Sequence, residues 1–109
     1  MVPAEPVALI VFVTVPDEQT AVKLAEALLQ QRAAACVQIL PAGRSMYRWK
    51  GKIESASEST LLIKTAASRF AELEQLIRRL HPYEVPEVIG IPIAEASAPY
   101  LHWILDESQ

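Results

Sequence analysis

Residues 81–87, His-Pro-Tyr-Glu-Val-Pro-Glu, bring one imidazole, one phenol and two carboxylates into seven positions. A neutral imidazole binds Cu²⁺, Zn²⁺ and Ni²⁺ well. Glu84 and Glu87 would supply oxygen donors beside His81. A plainer reading also fits: His81 ends a helix, where the dipole favours positive charge, and the glutamates are solvated. A second stretch, RSMYRWKGK at 44–52, interleaves Arg44, Arg48, Lys50 and Lys52 with Tyr47 and Trp49. Such rings either stack on bases or pack against another subunit while the cations stay in water. A net charge of −3 favours packing and argues against a nucleic-acid partner. Cys36, in AAACVQI, reads as a small apolar strand residue; a thiolate ligand would need a cationic neighbour that the sequence does not supply. His102 and Trp103 read as structural. HExxH, CxxC and GxSxG are absent, and the three glycines are scattered, so nothing signals an enzyme.

The composition sets the frame for these residues. With 109 residues, 51% hydrophobic and 21% charged, the chain suits one packed domain, expected over 7–109 with residues 1–6 disordered. A single cysteine excludes an internal disulfide and suits a reducing compartment. No apolar run reaches the roughly 18 residues of a membrane span. PVALIVFVTV, at 6–15, reads as a buried strand and not as a signal peptide. A cytoplasmic protein with no membrane partner is expected.

Val7 to Val15 is continuously apolar and β-branched, which predicts a strand covered on both faces. Asp17 is a predicted N-cap for a helix running to about Arg32, with Val22, Ala25, Leu28 and Leu29 at helical spacing. Ala35 to Leu40 predicts a second strand, bent or bulged at Pro41 to Gly43. From Ser45 the chain extends again, turns at Lys50-Gly51 and returns over Lys52 to Thr65. Tyr47 and Trp49 then share one face. Ser68 is expected to cap a second helix striped with Phe70, Leu73, Leu76, Ile77 and Leu80, which Pro82 ends. Val85 to Ile93 predicts the last strand, and Ser97 the cap of a short final helix.

The order predicts an α+β fold: ferredoxin-like βαββαβ plus a C-terminal helix, with an antiparallel sheet and both crossover helices on one face. The long β-hairpin would leave uncovered edges, which predicts an oligomer.

Several phrases together resemble the CutA family, named for divalent-cation tolerance. They are FVTVPDE (12–18), LAEALLQQRAAACVQILP (24–41), SMYRWKGKIE (45–54), LLIKT (61–65), HPYEVPEVIGIPI (81–93) and YLHWI (100–104). The resemblance implies a homotrimer whose hairpins interlock, with Tyr47, Trp49 and Trp103 expected in the packing between subunits. It implies a non-enzymatic, cytoplasmic role in tolerance of copper or another divalent cation, with His81, Glu84 and Glu87 as metal ligands and no organic cofactor. Copper-linked members can carry a cysteine on the first strand and a histidine before HPY; this chain has Val13 and Leu80 there. Others have a cysteine directly before PDE, where this chain has Val15. The family's trimer is similar to that of the P-II-type signalling proteins, which bind effectors between subunits. That implies the alternative: a trimeric effector-sensing or scaffolding module without a physiological metal, its cleft lined by Arg44, Lys64, Tyr83 and Glu87.

Overall fold

Strand β1 (Ala8–Val15) lies inside the sheet of the computed structural model, which describes residues 5–109. Its continuous apolar run is explained by its place: β3 (Lys52–Ala66) pairs antiparallel on one side and β4 (Ile89–Pro92) on the other, giving the order β2-β3-β1-β4 with β2 (Cys36–Trp49) at the far edge. Helices α1 (Glu18–Gln30) and α2 (Phe70–Leu80) follow the crossover pattern, and α3 (Ala98–Glu107) closes the chain. The described residues thus form the expected α+β, ferredoxin-like arrangement. Of the expected disordered segment, residues 1–4 lie outside the described residues, and Glu5 and Pro6 are exposed coil.

The two faces of the sheet differ. Leu9, Val11, Val13 and Val15 point to one face with Leu61 and Ile63, where Leu24 and Leu28 of α1 and Leu73 and Ile77 of α2 cover them. Each such aliphatic side chain stabilises the fold by about 1.5–3 kcal/mol through its removal from water. The alternate residues Ile10, Phe12 and Leu62 point to the other face and are only half-buried. On β4 the same face carries Ile89 and Ile91, both about half exposed. Among the described residues only α3 covers part of that face: Ile104 packs on Ala8 and Ala35.

Asp17 caps α1 as expected, its carboxylate accepting the Thr20 N–H at 2.7 Å. The helix stops at Gln30, short of Arg32. Arg32 takes a positive φ of 55°, and the N–H groups of Arg32 and Ala33 bond back to Leu29 and Leu28. This is a Schellman ending with arginine where glycine is usual. The guanidinium offsets the strain by donating to the backbone carbonyls of Asp106 and Gln109, which ties α1 to the C-terminal end of α3.

Three expectations need correction. Ser68 does not cap α2: it lies within a 3₁₀ turn at Ala67–Arg69, held by the bond from Ala67 N–H to Val7 O, and the helix starts at Phe70 without a side-chain cap. Ser97 occupies the N-cap position of α3, but its hydroxyl makes no capping bond; its carbonyl accepts Leu101 N–H. The last strand is only Ile89–Pro92, because Pro86 lacks the N–H a ladder needs and residues 85–88 run off the sheet.

The hairpin is as long as expected, 14 residues in β2 and 15 in β3. Lys50 (φ 50°) and Gly51 (φ 81°) form its two-residue turn, the positive φ at both positions being what a type I′ turn requires. The bulge also forms: Leu40 pairs with Thr60, but the next pair is Gly43 with Glu58.

Candidate functional site

That bulge builds the site. One extra residue in β2 reverses which of its side chains share a face with β3. Before the bulge Gln38 and Leu40 pair with Leu62 and Thr60; after it Tyr47 and Trp49 pair with Glu54 and Lys52. Paired residues share a face, so the bulge brings Tyr47 and Trp49 to the same side as Glu58 and Thr14, away from α1 and α2. There they meet the loop leaving α2. A cavity of about 470 Å³ opens between them. Its ring walls are Tyr47, Trp49 and Tyr83, its carboxylates Glu58, Glu84 and Glu87, and Pro82 and Val85 form the loop side.

The loop is fixed by hydrogen bonds. His81 ends α2, with its N–H on Ile77 O at 2.8 Å and the residue only 7% exposed. Tyr83 N–H reaches His81 Nδ1 at 3.1 Å, and Nε2 lies 2.7 Å from Thr14 O. Because Nδ1 accepts, Nε2 carries the hydrogen and donates it, which assigns the neutral tautomer. The Tyr83 hydroxyl donates to Glu58 Oε2 at 2.7 Å. Burial first, then this bond and the Glu58 charge, push the Tyr83 phenol well above its ordinary range, so it stays a donor. Glu58 is itself only 7% exposed and forms no salt bridge among the described residues.

Of the expected ligands, Glu84 and Glu87 line the cavity. His81 lies behind it, both ring nitrogens engaged. Among the described residues no three His, Cys, Asp or Glu side chains converge as a metal-holding group. The residues of one chain therefore do not fit a resident copper ion. Val13 and Val15 are core residues, and Leu80 is 49% exposed at the end of α2. Of Arg44, Lys64 and Tyr83, only Tyr83 lines the cavity: Arg44 donates to Ser55 Oγ on the hairpin, and Lys64 to Gln38 Oε1. Tyr47, Trp49 and Trp103 are 45%, 40% and 42% exposed in the single chain, and Trp103 stacks near Tyr100, apart from the other two. Sequence reading missed Glu58 and Thr14. A glutamate among the small and polar residues of SASEST, in phase with Leu62, was the available signal.

No helix among the described residues is long and apolar enough to cross a membrane. A family described as "CutA1 divalent ion tolerance protein" matches residues 9–107. Protein CutA of Mus musculus is 47% identical over 93 residues, 85% of this chain; the chain spans about half (52%) of that relative's length. The divalent-cation tolerance protein CutA of Thermus thermophilus is 42% identical over 91% of this chain and 96% of its own. The crystal structure of CutA1 from Shewanella sp. SIB1 superposes with a TM-score of 0.93 at 42% identity, covering 96% of this chain and 98% of that one. Matched over nearly all of its sheet and helices, the chain belongs to the CutA1 divalent ion tolerance family.

Proposed function

We propose that this chain acts in divalent-cation tolerance as a non-catalytic homotrimer, residues 7–109 forming one domain, with the Tyr47–Glu58–Tyr83 cavity as a small-ligand site at a subunit boundary. The observation that carries it is the outer hairpin beside the cavity. Met46 and Ile53 are each 70% exposed there, and the helix-free face carries half-exposed Ile89 and Ile91. A two-stranded ribbon with bare apolar side chains is marginal in water by itself. Neighbouring copies would cover these side chains and close the cavity, with Tyr47, Trp49 and Trp103 in the subunit packing. The single cysteine suits the cytoplasm. Sedimentation equilibrium tests the assembly, with a trimer mass expected and a monomer mass refuting it.

The second reading takes Cu²⁺, or another divalent cation, as the cargo of His81, Glu84 and Glu87. Two of these three line one cavity. It requires His81 to release Thr14 O or Tyr83 N–H, so the loop must open. A calorimetric Cu²⁺ titration beside His81→Ala and Glu84→Gln/Glu87→Gln decides it. Tight binding lost in both variants supports cargo metal. Absent or unaffected binding leaves the small-ligand site alone.

A further inference from the structure

We infer that the cavity selects an organic cation, an ammonium or guanidinium group on a small frame, rather than an anionic effector. This rests on the cavity being the ligand site proposed above.

Charge is the first ground. Glu58, Glu84 and Glu87 line the cavity, and no arginine, lysine or histidine does. An anion entering it would meet three carboxylates with no counter-charge from the lining residues of this chain. Glu58 is the second ground. The residue is only 7% exposed, yet it has no cationic partner among the described residues. Among the described residues its only side-chain bond is from the neutral Tyr83 hydroxyl to Oε2. A buried carboxylate without a counter-ion is costly, and a ligand cation would relieve that cost. The Tyr83 proton is held firmly, so its hydroxyl stays a donor that orients the Glu58 side chain.

The rings are the third ground. Tyr47, Trp49 and Tyr83 present aromatic surface beside these carboxylates. Aromatic faces attract ammonium and guanidinium groups, tryptophan most strongly. This chain already uses that attraction: the Lys50 ammonium lies 5.8 Å from the centre of the Trp49 ring. A bare divalent ion is served less well, because it is held by several convergent ligands on the protein together with waters, and no three ligating side chains converge among the described residues. At about 470 Å³ the cavity falls within the roughly 300–1,000 Å³ of small-molecule sites.

The test is calorimetric titration of the purified full chain with choline, putrescine and agmatine, beside citrate, ATP and Cu²⁺. The comparison variants are Glu58→Gln, which keeps an acceptor for Tyr83, and Glu84→Gln/Glu87→Gln, whose exposed positions leave folding intact. Saturable binding of at least one organic cation is expected, weakened about tenfold or more in each variant, or about 1.4 kcal/mol, with no binding of citrate or ATP. Binding of an organic cation that is unchanged in both variants overturns the inference. Binding of citrate or ATP instead overturns the ligand class and leaves the cavity as a ligand site. Failure of every organic probe, cationic and anionic, overturns both.

Discussion

The β2–β3 hairpin has two ends with the same ladder and opposite surroundings. Near the core, Val37 and Ile39 pair with Ile63 and Leu61, which are fully buried under α1 and α2, and β1 pairs along the other side of β3. Beyond the bulge, Arg48 pairs with Ile53 and Met46 with Ser55, with no third strand alongside among the described residues. There Met46 and Ile53 are each 70% exposed. Backbone pairing is alike at both ends, so hydrogen bonds do not explain a long outer ribbon. Side-chain cover does. The inner end has it within one chain; the outer end has none among the described residues. The cavity lies where the two regimes meet.

Trp49→Ala tests the outer end most severely. If a neighbouring copy covers the ring, the change costs about 3–5 kcal/mol, as for a large core aromatic, and lowers the mass seen in sedimentation. An unchanged mass and melting temperature would mean that the outer ribbon stays in water and the contrast is real in the assembly too. Ile63→Ala tests the inner end. It empties a fully buried position and is expected to cost about 2–5 kcal/mol in denaturant unfolding, whatever the protein concentration.

Tyr83→Phe tests the junction. It removes the side-chain hydrogen bond that Glu58, buried, accepts among the described residues, at an expected cost of about 1–3 kcal/mol. It should also alter the alkaline limb. The folded state holds the Tyr83 proton more tightly than the ordinary value of 10.0. Its contribution to stability is therefore complete below pH 10.0 and fades as pH climbs toward the higher folded value. Melting curves at rising pH should show a steeper loss in the wild type than in Tyr83→Phe; parallel curves would discount the bond. The smallest effect is expected at Asp17, the exposed cap of α1. The Thr20 N–H it accepts holds its carboxyl below the ordinary 3.8. Stability from this group is present above 3.8 and lost as pH falls through the lower folded value. Asp17→Asn keeps a capping acceptor and should flatten the acid limb without moving the assembly.

Much of this was legible because it is local. The continuous apolar run of β1, the period-3.6 stripes of α1 and α2, the Lys50-Gly51 turn and the bulge near Pro41 all follow from residues a few positions apart. The caps failed where distant contacts intervened: the Ala67 N–H bond to Val7 O pulls Ser68 into a 3₁₀ turn. The candidate site was half legible. HPYEVPE marked the loop, and Tyr83, Glu84 and Glu87 do line the cavity. That both His81 ring nitrogens are engaged, by Thr14 O and Tyr83 N–H, could not be seen in a linear reading.

The order of elements, the family and the length of the hairpin could be read from the linear chain, since periodicity, turn chemistry and shared phrases are properties of neighbouring residues. Only the folded chain shows that Glu58 is buried without a counter-ion among the described residues and that Tyr47 and Trp49 share a cavity with Tyr83. The reason is geometric. A single extra residue at the bulge reverses the parity of everything beyond it in β2, and only register across the sheet tells which side chains then meet.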